Sequence, residues 1–250
     1  MTHSEKIHFF EEMSMNGHVA LNSLYYDGWI LRFSNGYTTR ANSVSVIYPS
    51  KLSFEEKVPV CEEYYKKQKL PCQFKITEID TDLNKYLDEH GYQSVSETDL
   101  MSLKLSDIKF SLENESIDCE FTETPTEEWL NSYFPFEALT DELKQKTFRQ
   151  MLSKVMVKTI YCSLLKDGKI IACASAAIER GYMLLQNVVV SPDCRGQGLG
   201  KLLCKSLILK AREYGAEYSY LQVLQTNEVA VKLYKSLGYE KEYSYWYMKK

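Results

Sequence analysis

The chain of 250 residues carries a net charge of −4, with 44% hydrophobic and 26% charged residues, which is the composition of a globular protein. The acidic balance argues against a nucleic-acid partner, and no apolar run reaches the roughly 18 residues needed to span a bilayer. The N-terminus lacks a signal-peptide pattern, and the seven cysteines, which form no C-x-x-C pair, indicate neither a disulfide framework nor a zinc ribbon. We therefore expect a cytoplasmic protein without a membrane segment or a metal site.

The first part of the chain is predicted to form a helix, two strands and a second helix. The dipeptide Asn35-Gly36 lies between the two strand-like runs and predicts a hairpin, because both residues accept positive φ. Ser53 and Glu56 have the spacing of a capping box at the start of the second helix. Pro59 lies inside that helix and is expected to kink or delay it.

The same alternation continues to a polar stretch that interrupts it. A short strand, a helix from Thr81 and a strand after Gly91 are followed by residues 106–116, "SDIKFSLENES". We place a domain boundary near residue 110, which gives a domain of residues 1–110 and a second one of residues 117–250.

The second part is predicted to open with two helices and to continue with a run of strands. Pro125 is expected at the first helical position of the sequence "TPTE", and the next helix covers about residues 140–153. Two strands joined by a turn at residues 166–168 precede the apolar strand of residues 182–190, which is expected to be buried on both faces.

A repeat links the two parts of the chain. Gly91-Tyr92 and Gly238-Tyr239 are 147 residues apart, and at this offset a strand, an amphipathic helix and a second strand recur. Leu87 in the first copy takes the position of Tyr234 in the second. The pattern predicts tandem copies of one fold, and the alternative is two unrelated units that share a local motif.

The most informative stretch is "NVVVSPDCRGQGLGKLL", residues 187–203, in which a buried strand leads through a loop into a helix. The loop and the first helical turn contain three glycines and two basic residues: Gly196, Gly198, Gly200, Arg195 and Lys201. Unpaired backbone N–H groups and the positive end of the helix dipole suit a phosphate at this place.

Two common phosphate-binding patterns do not fit the loop. A P-loop would need glycine at Arg195 and a hydroxyl residue at Leu202, and the dinucleotide fingerprint would need glycine at Lys201. A third pattern, R-x-x-G-x-G, is satisfied by Arg195, Gly198 and Gly200. It resembles motif A of the GNAT superfamily, the Gcn5-related N-acetyltransferases, in which this loop holds the pyrophosphate of coenzyme A.

The resemblance extends to the sequence N-x-x-A-x-x-x-Y-x-x-x-G-Y, residues 227–239, and covers roughly residues 117–250. It implies an α/β (α+β) fold of tandem GNAT-like units, each a mixed, mostly antiparallel twisted sheet flanked by helices. The first unit lacks the glycine loop and has Asp80 in place of Asn227, so we interpret it as a degenerate copy.

The resemblance also implies an acetyl-CoA-dependent N-acetyltransferase that moves acetyl directly to a primary amine of a small molecule or peptide. Tyr234 would act as the general acid that protonates the departing thiolate. The implied cofactor-binding residues are Val188, Val189, Val190, Arg195, Gly196, Gln197, Gly198, Leu199, Gly200, Lys201 and Asn227. An alternative function of a different class is a non-catalytic acyl-CoA-binding sensor or regulatory protein.

Three further features remain open from the sequence. Glu137 is either the general base or a solvated surface carboxylate, and Cys194, beside Arg195, is expected to be a bystander. The alternating tyrosines of the last strand either line the acceptor cleft or pack in the sheet: Tyr243, Tyr245 and Tyr247. The sequence specifies no oligomeric state.

Overall fold

A computed structural model describes residues 1–106, 108 and 117–250. The expected domain boundary near residue 110 lies outside these residues, so the division into two domains stays a prediction. The described helices and strands, in chain order, are α1 (His3–Gly17), β1 (Asn22–Tyr26), β2 (Trp29–Phe33), β3 (Val44–Val46), α2 (Phe54–Lys67), β4 (Gln73–Thr77), α3 (Thr81–Glu89), β5 (Gln93–Lys104), β6 (Asp118–Thr122), α4 (Glu127–Phe136), α5 (Glu142–Leu152), β7 (Lys158–Lys166), β8 (Lys169–Glu179), β9 (Tyr182–Val190), α6 (Leu199–Glu213), β10 (Tyr218–Leu224), α7 (Glu228–Ser236) and β11 (Glu240–Lys249). Short 3-10 turns occur at Thr39–Ala41 and Pro192–Cys194.

All of the described strands belong to one sheet, with the order β1-β2-β3-β4-β11-β5-β10-β9-β8-β7-β6. The pairs β3–β4 and β9–β10 are parallel, and the other neighbours are antiparallel. The N-terminal half (residues 1–106) and the C-terminal half (residues 117–250) exchange their last strands. β5 lies between β11 and β10, and β11 lies between β4 and β5.

The strand pairing repeats with the offset of 147 residues that the sequence indicates. α3 and α7 correspond over their full lengths, and the pair Gln93↔Lys249 becomes Glu240↔Ser102 when both residues are exchanged by that offset. Both pairs occur in the β5–β11 ladder, which therefore lies on a pseudo-two-fold axis. The prediction of a mixed, mostly antiparallel sheet built from tandem units is confirmed.

The first hairpin differs from the prediction. Asp27 and Gly28, with φ of 41° and 81°, form the two-residue turn that joins β1 to β2. Asn35-Gly36 also has positive φ but opens a longer loop to β3. The side chain of Asn42 holds that loop, because its Oδ1 accepts from the N–H groups of Ser34 and Gly36.

Two helix starts test the capping predictions. Ser53 and Glu56 form the predicted capping box, and α2 begins directly after Ser53 and continues through Pro59. The predicted start at Pro125 is wrong by two residues. Thr126 is the N-cap of α4, because its hydroxyl accepts from the N–H of Trp129.

The two faces of the sheet carry different helices. Leu203 and Leu207 of α6 pack with Met183 and Leu185 of β9, in a core that also includes Tyr234 of α7. α1 crosses the opposite face, where Leu184 of β9 packs with Tyr220 and Tyr243. We call these the α6 face and the α1 face. α4 and α5 cover the α1 face near β7 and β8, together with Tyr37 from the N-terminal half.

Candidate functional site

A gap opens in the sheet between β9 and β10. The two strands pair only from Tyr182↔Tyr218 to Leu184↔Tyr220. β10 then continues along β5 to Leu224, and β9 continues along β8 to Val190. The facing edges of β9 after residue 184 and β10 after residue 220 therefore diverge, and their backbone groups are available to a ligand.

A β-bulge shapes the end of β9 beside this gap. The register with β8 shifts between Cys173 and Ser175, and Asn187 has a φ of 57°, which is unusual for a residue other than glycine. Asn187 Nδ2 donates to Ser175 Oγ at 2.7 Å, and Tyr133 Oη lies 3.4 Å from Asn187 Oδ1. These contacts hold the bulge, which redirects residues 188–190.

The predicted cofactor loop follows β9 directly. Gly196 and Gly198 have φ of 75° and 76°, and a methyl group on either one would meet no atom within 4 Å. Glycine is needed at both positions for the left-handed backbone rather than for space. Gly198 is the N-cap of α6, and its carbonyl accepts from the N–H of Leu202.

Backbone donors are concentrated at the start of α6. Within the part of the chain that the structure describes, the N–H groups of residues 196–200 donate to no protein acceptor. Arg195 ties this loop to its surroundings, with Nε donating to Val190 O and Nη2 to Phe136 O, both at 3.2 Å. Free N–H groups, the helix dipole and the nearby cations of Arg195 and Lys201 suit an anion.

α7 lies against the first turn of α6. A methyl group on Gly200 would lie 3.3 Å from Leu233 Cδ2 and 3.9 Å from Val190 Cγ2, so these two helices and the end of β9 converge. Asn227 is the N-cap of α7, and its Oδ1 accepts from the N–H of Ala230 at 3.2 Å. The sequence did not indicate this capping role.

Tyr234, on the next turn of α7, is 9% exposed and its ring meets Tyr239 edge-on at 5.9 Å between centroids. Its hydroxyl forms no hydrogen bond with another described residue. Burial raises the pKa of Tyr234 above the usual range, which the nearby charge of Arg40 partly offsets. The phenol is therefore protonated near neutral pH.

Glu137 lies at the C-terminal end of α4, near the loop that Arg195 anchors. Although the residue is exposed as a whole, desolvation of its carboxyl group raises the pKa of Glu137, against the opposing charges of Arg40 and Arg195. A carboxyl group with a raised pKa is a better general base than an ordinary surface carboxylate. Cys194 is half-buried beside the α6 core.

The tyrosines of β11 are buried on the α1 face: Tyr243, Tyr245 and Tyr247. Tyr243 Oη donates to Glu11 Oε1 at 2.8 Å, and Tyr245 Oη donates to Gln222 Oε1 at 3.0 Å. Trp246 packs into the core on the other face. The bond of Tyr243 to Glu11 agrees with packing in the sheet. Tyr245 is linked to Arg40 through Gln222, whose Oε1 lies 3.4 Å from Arg40 Nη1. Arg40 was missed by the sequence analysis.

Two classes of site are missing from the described residues. Residues 1–106, 108 and 117–250 contain no group of three or more His, Cys, Asp or Glu side chains placed to hold a metal ion. None of the helices in those ranges has the combined length and apolar character that a membrane span requires.

The sheet with its gap between β9 and β10 has the architecture of the GNAT fold, and solved structures share this fold. A GCN5-related N-acetyltransferase from Kribbella flavida superposes with a TM-score of 0.72 at 16% identity, covering 97% of this chain and 94% of that one. A tandem GNAT protein from the clavulanic acid biosynthesis pathway superposes with a TM-score of 0.69 at 14% identity, covering 83% and 74%.

Sequence comparison supplies the family. Residues 4–248 match the model of the family described as "Probable histone acetyltransferase Rv0428c C-terminal", and the chain belongs to that family. It is also 26% identical over 215 residues to the "Uncharacterized N-acetyltransferase YobR" of Bacillus subtilis, covering 84% of this chain and 85% of that protein. The chain is thus an N-acetyltransferase of the GNAT superfamily, which generally uses acetyl-CoA.

Proposed function

We propose that this N-acetyltransferase moves an acetyl group from acetyl-CoA directly to a primary amine of a small molecule or peptide. The observation that carries the proposal is the convergence around Gly200, where a methyl group would touch both Val190 at the end of β9 and Leu233 beside Tyr234. We infer that the first turn of α6 brings together the free backbone donors of the loop, the gap in the sheet and the protonated phenol of Tyr234. We assign the activity to the cytoplasm on the cysteine content of the sequence.

The residues of the loop fit the pyrophosphate of the co-substrate. The N–H groups of residues 196–200, from Gly196 through Gln197, Gly198 and Leu199 to Gly200, would donate to its oxygens, with Arg195 and Lys201 adding charge. The pantetheine arm would follow the unpaired edge of β9 at Val188, Val189 and Val190. Asn227 would contribute the amide NH₂ that its capping bond leaves free.

Acetyl transfer needs a neutral amine, donors for the oxyanion and a proton for the leaving thiolate. The amine nitrogen forms the C–N bond, the C–S bond breaks, and sulfur takes the proton of Tyr234 Oη. Backbone N–H groups at residues 188–190 are the proposed oxyanion donors. Desolvation that raises the pKa of Tyr234 also makes a thiolate in the same place a stronger base, so that the transfer remains feasible.

We propose Glu137 as the group that accepts the proton lost by the amine, directly or through one water. The raised pKa of its carboxyl group supports this role, as does its place directly after Phe136, whose carbonyl accepts from Arg195 of the proposed cofactor loop. Glu137→Gln would then lower the turnover number and leave the affinity for acetyl-CoA unchanged.

The test is to incubate the protein with acetyl-CoA and a panel of amines, amino acids and peptides, and to follow release of free thiol. For Tyr234→Phe we expect a fall in kcat of about 100- to 1,000-fold with an unchanged Kd for coenzyme A. The matched control is Tyr86→Phe on α3, the helix that corresponds to α7, where no change in rate is expected.

The outcomes separate the proposals from one another. A wild-type rate in Tyr234→Phe would contradict the general-acid role. Failure of the wild-type protein to bind coenzyme A would overturn the assignment of the loop. Binding without turnover across the panel would favour the acyl-CoA sensor over direct transfer.

A further inference from the structure

An arginine of the N-terminal half lies beside the gap of the C-terminal half. Arg40 belongs to the 3-10 turn Thr39–Ala41, is half-buried, and places Nη1 3.4 Å from Oε1 of Gln222. Gln222 is the second residue of β10 after its pairing with β9 ends. Among the residues that the structure describes, no carboxylate lies within ion-pair distance of Arg40.

The surroundings of Arg40 hold more positive than negative charge. Arg32 is buried and donates to the carbonyls of Arg40 and His18 instead of to a carboxylate. Lys75 pairs with Glu11, with Nζ 2.7 Å from Oε1. Burial and the charges of Arg40 and Arg32 hold the pKa of His18 well below its usual range, so this imidazole is neutral near pH 7.

Among the described residues, this cluster thus consists of the cations Arg40, Arg32 and Lys75 and the carboxylate of Glu11. The overall charge of the chain is −4. Glu137 is within electrostatic range of Arg40 but forms no ion pair with it in the described part of the chain. An uncompensated positive charge in a partly buried place attracts an anion, because burial weakens the screening by water.

Two buried polar atoms beside the cluster also lack partners among the described residues: Tyr247 Oη and Gln186 Oε1. Tyr247 is 3% exposed, and its ring lies 5.7 Å from that of Tyr245, whose hydroxyl bonds to Gln222. The amide of Gln186 donates to Gly17 O, next to His18. Both atoms lie next to polar side chains, Tyr245 for Tyr247 and His18 for Gln186, so the anion-binding argument depends on Arg40.

The cluster lies on the α1 face, where Gln222 Nε2 donates to Ser14 of α1, whereas the proposed cofactor loop belongs to α6 on the other face. The charge of Arg40 acts on both Tyr234 and Glu137, which places its guanidinium within electrostatic range of the proposed acid and base. A ligand held by Arg40 would therefore enter the gap opposite the cofactor.

We propose that Arg40 anchors the acceptor through an oxyanion, so the substrates are primary amines that also carry a carboxylate or a phosphate. This proposal rests on the proposed function. It means that a residue of the N-terminal half determines the specificity of the site in the C-terminal half. The planar guanidinium matches either oxyanion with two parallel hydrogen bonds.

The test is calorimetric titration of the protein saturated with coenzyme A, using pairs of amines that differ in charge. Amino acids are compared with their carboxamides, and phosphoethanolamine with ethanolamine, so the two arms distinguish carboxylate from phosphate. We expect the anionic member of a pair to bind, and its Kd to rise about 10- to 100-fold in Arg40→Gln. Arg40→Lys should recover part of that loss, because it keeps the charge without the fork.

The matched control is Arg212→Gln, at the end of α6, where the guanidinium contacts only a backbone carbonyl at Ile108 in the described residues. Equal binding of charged and neutral amines, equal weakening of both in Arg40→Gln, or no binding of any anionic amine would each overturn the proposal. Thiol release is measured in parallel. Anionic amines that bind through Arg40 without being acetylated would contradict the proposed function and leave the anchoring role intact.

Discussion

The loop before α2 and the loop before α6 take corresponding places in the two halves, but they satisfy their backbone donors differently. Before α6, the N–H groups of residues 196–200 have no acceptor in the described chain. Before α2, the carboxylate of Asp27 accepts from the N–H groups of Lys51 and Leu52 and from the hydroxyl of Ser50. The N-terminal half thus fills its own anion site with a side chain.

A buried lysine completes this internal site. Lys57 of α2 has a fully buried side chain, with Nζ 3.3 Å from Asp27 Oδ2 and 3.8 Å from the ring centre of Trp29. The hydrogen bonds from Leu52 and Ser50 contribute most to holding the pKa of Asp27 well below its usual range. The comparison teaches that a carboxylate of the chain itself can satisfy the donors of a loop whose counterpart in the other half is proposed to bind an anion.

The largest effect is expected where the internal site loses its cation. Lys57→Met removes the charge that faces Asp27 and should lower the free energy of unfolding by about 3 kcal/mol. Urea denaturation measures it, with Lys66→Met on the exposed side of the same helix as the control. A loss equal to that of the control would show that the lysine contributes no more than any surface lysine of α2.

The open loop should respond in binding rather than in stability alone. Gly198→Ala forces a side chain into a left-handed conformation and should weaken coenzyme A binding about tenfold, because the N–H groups lose their alignment. Gly168→Ala is the matched control, since Gly168 has a φ of 72° and equally open surroundings in the β7–β8 turn. Both variants should lose about 1 kcal/mol of stability. Equal effects on coenzyme A affinity would contradict a cofactor role for the loop.

For Asp27→Asn we expect a loss of stability no larger than that of Lys57→Met, because the amide oxygen still accepts from the backbone of the loop although the buried Lys57 loses its counter-charge. In the wild type, the pKa of Asp27 is lower in the folded than in the unfolded state. The carboxylate therefore stabilises the protein above its ordinary pKa of about 3.9, and this stabilisation is lost as the pH falls through the pKa of the folded state. The difference in thermal midpoint between wild type and variant should be present at pH 7 and shrink below pH 4. A difference independent of pH would mean that the charge of Asp27 contributes nothing.

Local patterns predicted the elements to which we assign the chemistry. Gly196 and Gly198 take a left-handed backbone that residues other than glycine rarely adopt, and the apolar spacing of α6 and α7 reports one buried face. The offset of 147 residues gave the alignment of Leu87 with Tyr234, and Leu87 is indeed a core residue. The role of Tyr234 itself stays a prediction.

Two features could not be predicted from local sequence patterns, because contacts with residues further along the chain determine them. Asn35-Gly36 has the right residues for a tight turn, but the side chain of Asn42 holds a wider loop, and the tight turn forms at Asp27-Gly28. Arg40 stands in an ordinary polar stretch, and nothing near it in sequence indicates that Gln222 is its neighbour. The placement of Arg40 depends on how the two halves meet, which no local period encodes.

The exchange of β5 and β11 has a consequence for how this chain can change over evolutionary time. β5 supplies the strand that separates β10 from β11, so removing the N-terminal half would leave β10 with an open edge beside the gap. The N-terminal half, which lacks the glycine loop, is therefore still needed as a scaffold for the C-terminal half. Retention of the degenerate half therefore requires no activity of its own, and its loops are free to acquire new tasks such as recognising what the other half modifies.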